Sequence, residues 1–206
     1  MPSVFLIKPG SIQRDEQGRI LDARSSVTLI ISGRHRIIVD SGQSGEEHRI
    51  LKALAGLGMG AEEIDLIVNT HSHPDHCGNN HLFSRARLLA PEEGDIIAPG
   101  VYIMATPGHS LDSISLAVEA NAKAADLKII IAGDALPTFG NFQKNVPPAL
   151  HVDRALAEAS LQRIVALADI VVPGHDFPFS IRKKAYTSLP SRMEPGEQSA
   201  GNKLLD

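Results

Sequence analysis

The sequence predicts a mixed α/β (α+β) fold: two mixed β-sheets with helices packed on their outer faces. Three observations lead there. Short β-rich runs of branched apolar residues recur along most of the chain. Two longer segments with apolar residues at helical spacing interrupt them, so hairpins and β-α-β stretches alternate. The chain has 206 residues, 43 % hydrophobic and 21 % charged, which suits one domain with a substantial core.

VFLIK near the start, SVTLIIS at 26–32 and HRIIVD at 35–40 are short and rich in β-formers. Gly33 and Arg34 between the last two suit a hairpin turn. From Glu46 to Leu57, apolar Ile50, Leu51, Leu54 and Leu57 recur at helical spacing, with Gly58 just past the end. IDLIVNT follows as a strand of the buried type. Further strands are RLLA at 87–90, VYIMAT at 101–106, SISLAVE at 113–119 and LKIIIAG at 127–133. A second helix spans 153–168, with Asp153 in its first turn and Leu156, Leu161, Ile164, Val165 and Ala168 on one face. DIVVPG supplies a last strand. Residues 1–189 read as the single domain, and 190–206, rich in Ser, Pro, Gly and charge, as a flexible C-terminal tail.

Bulk properties narrow the function classes. A formal charge of −4 gives no footprint for a polyanion, so nucleic acid is not favoured as a partner and a small-molecule substrate is. The single cysteine, Cys77, excludes an intramolecular disulfide and fits a reducing compartment. No secretory-leader pattern and no apolar run of membrane-spanning length is present, so the expected location is cytoplasmic, off the membrane. Self-association to a homo-oligomer is left open.

Chemistry concentrates in VNTHSHPDHCGNN, beginning at Val68. It holds the pattern H-x-H-x-D-H, although histidine is only 9 of 206 residues. Chance produces that pattern in roughly one chain in a thousand of this composition. TPGHS then places His109 after the strand VYIMAT, IAGD places Asp134 at the end of LKIII, and VVPGHD places His175 after IVV. Every candidate ligand thus follows a strand end, where loops gather side chains over one edge of the sheets. His35, His48, His81 and His151 have no such context and read as surface or hydrogen-bonded residues.

H-x-H-x-D-H, TPGH, GD and PGH in that order, with VDSG at 39–42, resemble the metallo-β-lactamase superfamily of αββα metallohydrolases. THSHPDHCGN, ATPGHS, IIIAGD and ADIVVPGHDFPF are most similar to its compact single-domain members. The resemblance implies a four-layer αββα sandwich, the metallo-β-lactamase fold. It also implies a dinuclear centre: His71, His73 and His109 on one metal ion, Asp75, His76 and His175 on a second, and Asp134 bridging both. Two divalent ions are expected, zinc first, with iron or manganese as alternatives; imidazole and carboxylate suit all three. His71 and His73, two apart on extended chain, share a face, and a turn at Pro74 can aim Asp75 and His76 elsewhere.

Two ions about 3.5–4 Å apart can share a hydroxide, formed at neutral pH because coordination brings the water pKa from 15.7 to about 7. The expected reaction is therefore hydrolysis of an ester, thioester or lactone-type bond, with Asp75 and Asp134 as the catalytic carboxylates. Two alternatives use related sites: a phosphodiesterase or ribonuclease, and a mononuclear iron persulfide dioxygenase with a His-His-Asp facial triad. No thiol nucleophile is required, and Cys77 is expected to be a small, buried, inert residue. The resemblance makes Asp40 the acceptor of a hydrogen bond from a ligand histidine; an ordinary Asp-Ser-Gly turn is the plainer reading. Residues 135–150 read as a long irregular loop in which Phe139, Phe142 and Lys144 either contact substrate or pin the loop to the second helix.

Overall fold

The computed structural model describes residues 1–122 and 125–189; the tail expected at 190–206 lies outside them. β1 (Ser3–Lys8), β4 (Val27–Ser32), β5 (His35–Val39), β6 (Leu66–Val68) and β7 (Arg87–Leu89) form one mixed sheet in that order. β2 (Ser11–Arg14) and β3 (Ile20–Arg24) make a separate antiparallel hairpin. The second sheet runs β8 (Ile96–Ala98), β9 (Val101–Ala105), β10 (Ile114–Ala122), β11 (Ala125–Gly133), β12 (Ile170–Pro173), β13 (Phe179–Ser180) and β14 (Ala185–Tyr186). Within it only the β11–β12 pair is parallel; in the first sheet β5–β6 and β6–β7 are. The described residues also form four α-helices, α1 (Glu47–Gly56), α2 (Pro74–Cys77), α3 (Phe139–Lys144) and α4 (Arg154–Leu167), and two short 3-10 turns at Ala61–Glu63 and Asn80–Leu82.

Alternation along each strand divides the interior into three apolar layers. Ile30, Ile37, Val39, Leu66 and Val68 meet Ile103, Leu116, Val118, Ile129, Ile131 and Val172 between the sheets. The intervening residues Leu29, Ile38 and Ile67 point the other way, onto Ile50 and Leu54 of α1. Ile130, Ala132 and Val171 likewise pack on Leu161 and Ile164 of α4. The order helix, sheet, sheet, helix is thus built by strands buried on both faces, and their unbroken apolar runs are the sequence expression of it.

Several expectations are corrected. Leu51 and Leu156 do not join the buried faces of α1 and α4; each is 39 % exposed. In α4 the buried face is made by Ala157, Ser160, Leu161 and Ile164. The β2–β3 hairpin and the short strands β8, β13 and β14 were not expected. The loop at 135–150 is not wholly irregular: Thr138 caps α3, its side chain accepting from the Asn141 N–H.

Candidate metal centre

Four chain segments deliver seven side chains to one edge of the two sheets. After β6 the chain bends at Thr70 and His71 and is extended again at His73, which precedes α2, and Pro74 opens that helix with its preset φ. Asp75 and His76 are therefore carried by a short helix, where a turn was expected. His109 sits in the loop after β9, Asp134 directly follows β11, and His175 lies two residues past β12. His71, His76, His109, Asp134 and His175 are buried, Asp75 is half-buried and His73 is exposed.

Outer hydrogen bonds orient these imidazoles. Nδ1 of His76 meets Asp40 Oδ2 at 2.7 Å, Nδ1 of His109 meets the Leu150 carbonyl at 2.7 Å, and Nδ1 of His175 meets the Arg24 carbonyl at 2.9 Å. An oxygen that only accepts requires the proton on Nδ1, which leaves the Nε2 lone pair facing the cluster. His71 is held less directly. Thr70 donates its hydroxyl to Asp40 Oδ2 at 2.9 Å, and Oγ1 in turn lies 3.2 Å from His71 Nδ1. Asp40 also accepts the Thr70 backbone N–H at 2.7 Å. Thr70 thus ties two histidines to one carboxylate, a role that no motif in the sequence announced.

Inside this frame the donor atoms crowd together. His73 Nδ1 lies 3.0 Å from His71 Nε2 and 2.9 Å from His109 Nε2. Asp75 Oδ2 lies 3.8 Å from His76 Nε2 and 3.5 Å from His175 Nε2. Asp134 stands between the two sets, with Oδ2 3.4 Å from His109 Nε2 and Oδ1 3.4 Å and 3.1 Å from His76 and His175 Nε2. Two nitrogens on one tetrahedral zinc are about 3.3 Å apart, given bonds of about 2.0–2.1 Å, so these separations resemble the edges of coordination polyhedra. Three overlapping groups could hold an ion: His71, His73 and His109; His71, His76 and Asp134; and Asp75, His76 and His175.

Two buried atoms, His76 Nε2 and Asp134 Oδ1, lack any hydrogen-bond partner although they are only 3.4 Å apart. Orphaned polar atoms of this kind are costly unless a ligand completes them, and a cation fits both. Charge leads the same way. Burial, then the neighbouring His76, pushes His71 down to about 2, which keeps it a neutral donor. Burial also acts against charge on His76, but Asp40 and Asp134 outweigh it and hold His76 well above its usual value. For Asp134, burial works upward, and the imidazoles of His175, which hydrogen-bonds to it, and of neighbouring His76 more than reverse it. The carboxylates draw positive charge into the cluster, which is what divalent ions would supply.

Glycine makes the approach of Asp134 possible. A Cβ at Gly174 would overlap Asp134 Oδ1 and the Gly133 backbone. A Cβ at Gly133, whose φ is +49°, would likewise overlap the Thr70 side chain.

A cavity of about 240 Å³ opens onto the cluster at His73, Asp75, His109, Asp134 and His175. Its other walls are Ile12, Arg14, Ile20 and Ala23 of the β2–β3 hairpin and the stretch from Val146 to Leu150. From the 135–150 segment, Pro137, Asn141 and 146–150 face the cavity; Phe139, Phe142 and Lys144 do not. Phe139 and Phe142 instead stack against Phe179 in the layer beneath α4, with ring centroids 5.0 and 5.3 Å from it. Lys144 is exposed. Cys77 is half-buried, not buried as expected; its sulfur reaches the Ser72 and His73 carbonyls and takes no part in the donor groups.

Fold and site together define a metallo-β-lactamase-type protein, and comparison with known proteins agrees. The family model of the metallo-beta-lactamase superfamily matches residues 22–93. Metallo-beta-lactamase domain-containing protein 1 of Mus musculus is 32 % identical over 185 residues, spanning 81 % of this chain and 69 % of that one. A probable metallo-hydrolase of Methanocaldococcus jannaschii is 36 % identical over 172 residues, spanning 78 % of this chain and 81 % of that one. The chain belongs to the metallo-β-lactamase superfamily, whose members are metallohydrolases. Among solved structures, an N-acyl homoserine lactone hydrolase with N-hexanoyl-L-homoserine bound at its catalytic metal centre superposes with a TM-score of 0.65 at 21 % identity, covering 85 % of this chain and 92 % of that one. Among the described residues no helix is long and apolar enough to cross a membrane.

Proposed function

We propose that this protein hydrolyses an ester, thioester or lactone-type bond by attack of water, at a site whose residues would hold two divalent metal ions, zinc foremost. The observation that carries this reading is the cavity lining. Seven candidate ligands converge at its floor or just behind it, yet none of the lining residues is Ser, Thr or Cys. Among the described residues no hydroxyl or thiol lines the cavity, and its carboxylates and imidazoles are themselves the candidate metal ligands, so water is the attacking group in this reading. Bound metal would supply a lowered water pKa and polarisation of the substrate oxygen.

The chain's own residues would do the rest. His71, His73 and His109 would hold one ion, Asp75, His76 and His175 the other, with Asp134 placed to touch both. Asp40 and Thr70 fix the ring orientations of His76 and His71. Asp75, half-buried at the cavity wall, is placed to hold the proton that passes to the leaving group. The lactone hydrolase of the same fold supports a carbonyl substrate. So does the charge of the lining: Arg14 is its only Lys or Arg, whereas a polynucleotide track needs several.

The test is turnover of a panel of thioesters, lactones and phosphodiesters by protein purified without added metal and then loaded with zinc. Hydrolysis of a thioester or lactone, abolished by chelation and restored by zinc, is the expected result. Preferential cleavage of the phosphodiester, or one iron per chain with oxygen consumption on a persulfide, would overturn it.

A further inference from the structure

We infer that Arg14 selects substrates bearing a carboxylate a short apolar segment away from the cleaved carbonyl, with the β2–β3 hairpin acting as a two-faced wall that presents it. This inference rests on the hydrolase reading above and adds the class of substrate.

The hairpin is amphipathic in an unusual sense. Alternation along β2 sends Ile12 and Arg14 to the cavity, while Ser11 and Gln13 line a separate polar depression. Their partners on β3 divide in the same way. Ala23 pairs with Ile12, and Ile20 pairs with Arg14; both face the cavity. Asp22 and Arg24, paired with Gln13 and Ser11, face the polar depression. A shift in register between Gln13 and Arg14 sets Arg14 opposite Ile20.

Arg14 is therefore an unpaired cation on an apolar wall. Ile12, Ile20 and Ala23 line the same cavity from the hairpin, and Val146, Pro147 and Leu150 line it from the 135–150 segment. Its guanidinium donates to the Gly18 carbonyl at 2.8 Å, and among the described residues no carboxylate pairs with it. The two carboxylates in the lining, Asp75 and Asp134, belong to the metal cluster. A guanidinium keeps a planar fork of donors free for a bidentate carboxylate. The occupant that satisfies all three features has a carbonyl at the metal centre, a short apolar segment between the walls, and a terminal carboxylate on Arg14. A phosphate dianion fits less well, because among the described residues no second Lys or Arg lines the cavity.

The probes are S-benzyl thioglutarate with its free ω-carboxylate, and the ω-carboxamide, a neutral compound of the same size. Zinc-loaded wild type and Arg14→Gln are compared on both, with kcat and KM separated, and binding is also measured by calorimetry. Wild type is expected to favour the carboxylate by roughly tenfold in kcat/KM, the worth of one charge-assisted hydrogen-bonded contact at a cavity wall. Arg14→Gln should remove that preference through KM, leave kcat near wild type, and leave the carboxamide unaffected; Arg14→Lys should keep part of it. Equal effects of Arg14→Gln on both compounds, or no preference in wild type, would overturn the inference. If neither compound is turned over, the hydrolase reading fails for this bond, and calorimetry decides separately. Tighter binding of the carboxylate, lost in Arg14→Gln, supports the Arg14 site; equal binding of the two compounds refutes it.

Discussion

Asp40 Oδ2 and His76 Nδ1 lie 2.7 Å apart, both residues buried, and Asp40 holds this position with a left-handed backbone at φ of +56°. A non-glycine residue in that conformation is uncommon, and aspartate and asparagine tolerate it best. The strained backbone, the two bonds from Thr70 and the contact to His76 converge on one carboxylate.

Asp40→Asn is accordingly the variant that keeps the backbone and removes the charge. Zinc affinity, read by competition with a chromophoric chelator, should fall roughly 10–100-fold, the usual cost of losing a group that orients a ligand histidine. Unchanged affinity with unchanged melting temperature would show that Asp40 is only a turn residue.

Gly174→Ala tests the packing beneath Asp134. The added methyl meets a carboxylate oxygen and the Gly133 backbone, neither at the end of a flexible chain. We expect metal-free protein to lose about 1–3 kcal/mol, as for overpacking elsewhere, and bound metal to drop below wild-type stoichiometry. Urea unfolding and elemental analysis of the same sample read both effects. A variant with wild-type midpoint and full metal would contradict the tight approach described here.

How much of this was legible in the sequence follows from where each signal resides. The convergence of the seven candidate ligands was readable because their segments follow apolar strands, and strand ends are what bring distant segments together; their division between two ions came from the family resemblance. The β2–β3 hairpin escaped because SIQR and ILDAR are short and charged, and their alternation serves a cavity instead of the core. Its turn carried a signal, since Gly18 takes φ of +80° and Asp15 Oδ1 caps the Gln17 and Arg19 N–H groups. α3 escaped because FGNF has weak helix propensity; Thr138 and the stack on Phe179 stabilise it, and the second lies far along the chain. Nothing local distinguished Thr70, whose importance depends on Asp40 thirty residues earlier.

The base of the hairpin holds a buried ion pair that offers a stability prediction. Lys8 Nζ lies 3.0 Å from Glu46 Oε2 and donates to the Ser25 carbonyl at 2.6 Å, with both side chains nearly inaccessible. Glu46→Ala strands the Lys8 charge, and should cost about 3–5 kcal/mol. Lys8→Met combined with Glu46→Leu should recover much of that loss, because a buried pair replaced by apolar groups of similar volume is often near neutral. Denaturant midpoints decide. A double variant no better than Glu46→Ala would mean that the pair is required for the fold itself.

In the proposed reaction Asp134 would stand between two metal ions and no thiol would take part. Metal content per chain, measured with turnover on one hydrolysable thioester, tests it most directly across wild type, Asp134→Asn and Cys77→Ala. Two zinc ions are expected in wild type and in Cys77→Ala, with similar turnover. Asp134→Asn should retain the fold by melting temperature, bind fewer than two ions, and lose at least roughly a hundredfold in turnover, as when one charge-stabilising group is removed. Two ions and full activity in Asp134→Asn, or loss of activity in a folded Cys77→Ala, would contradict it.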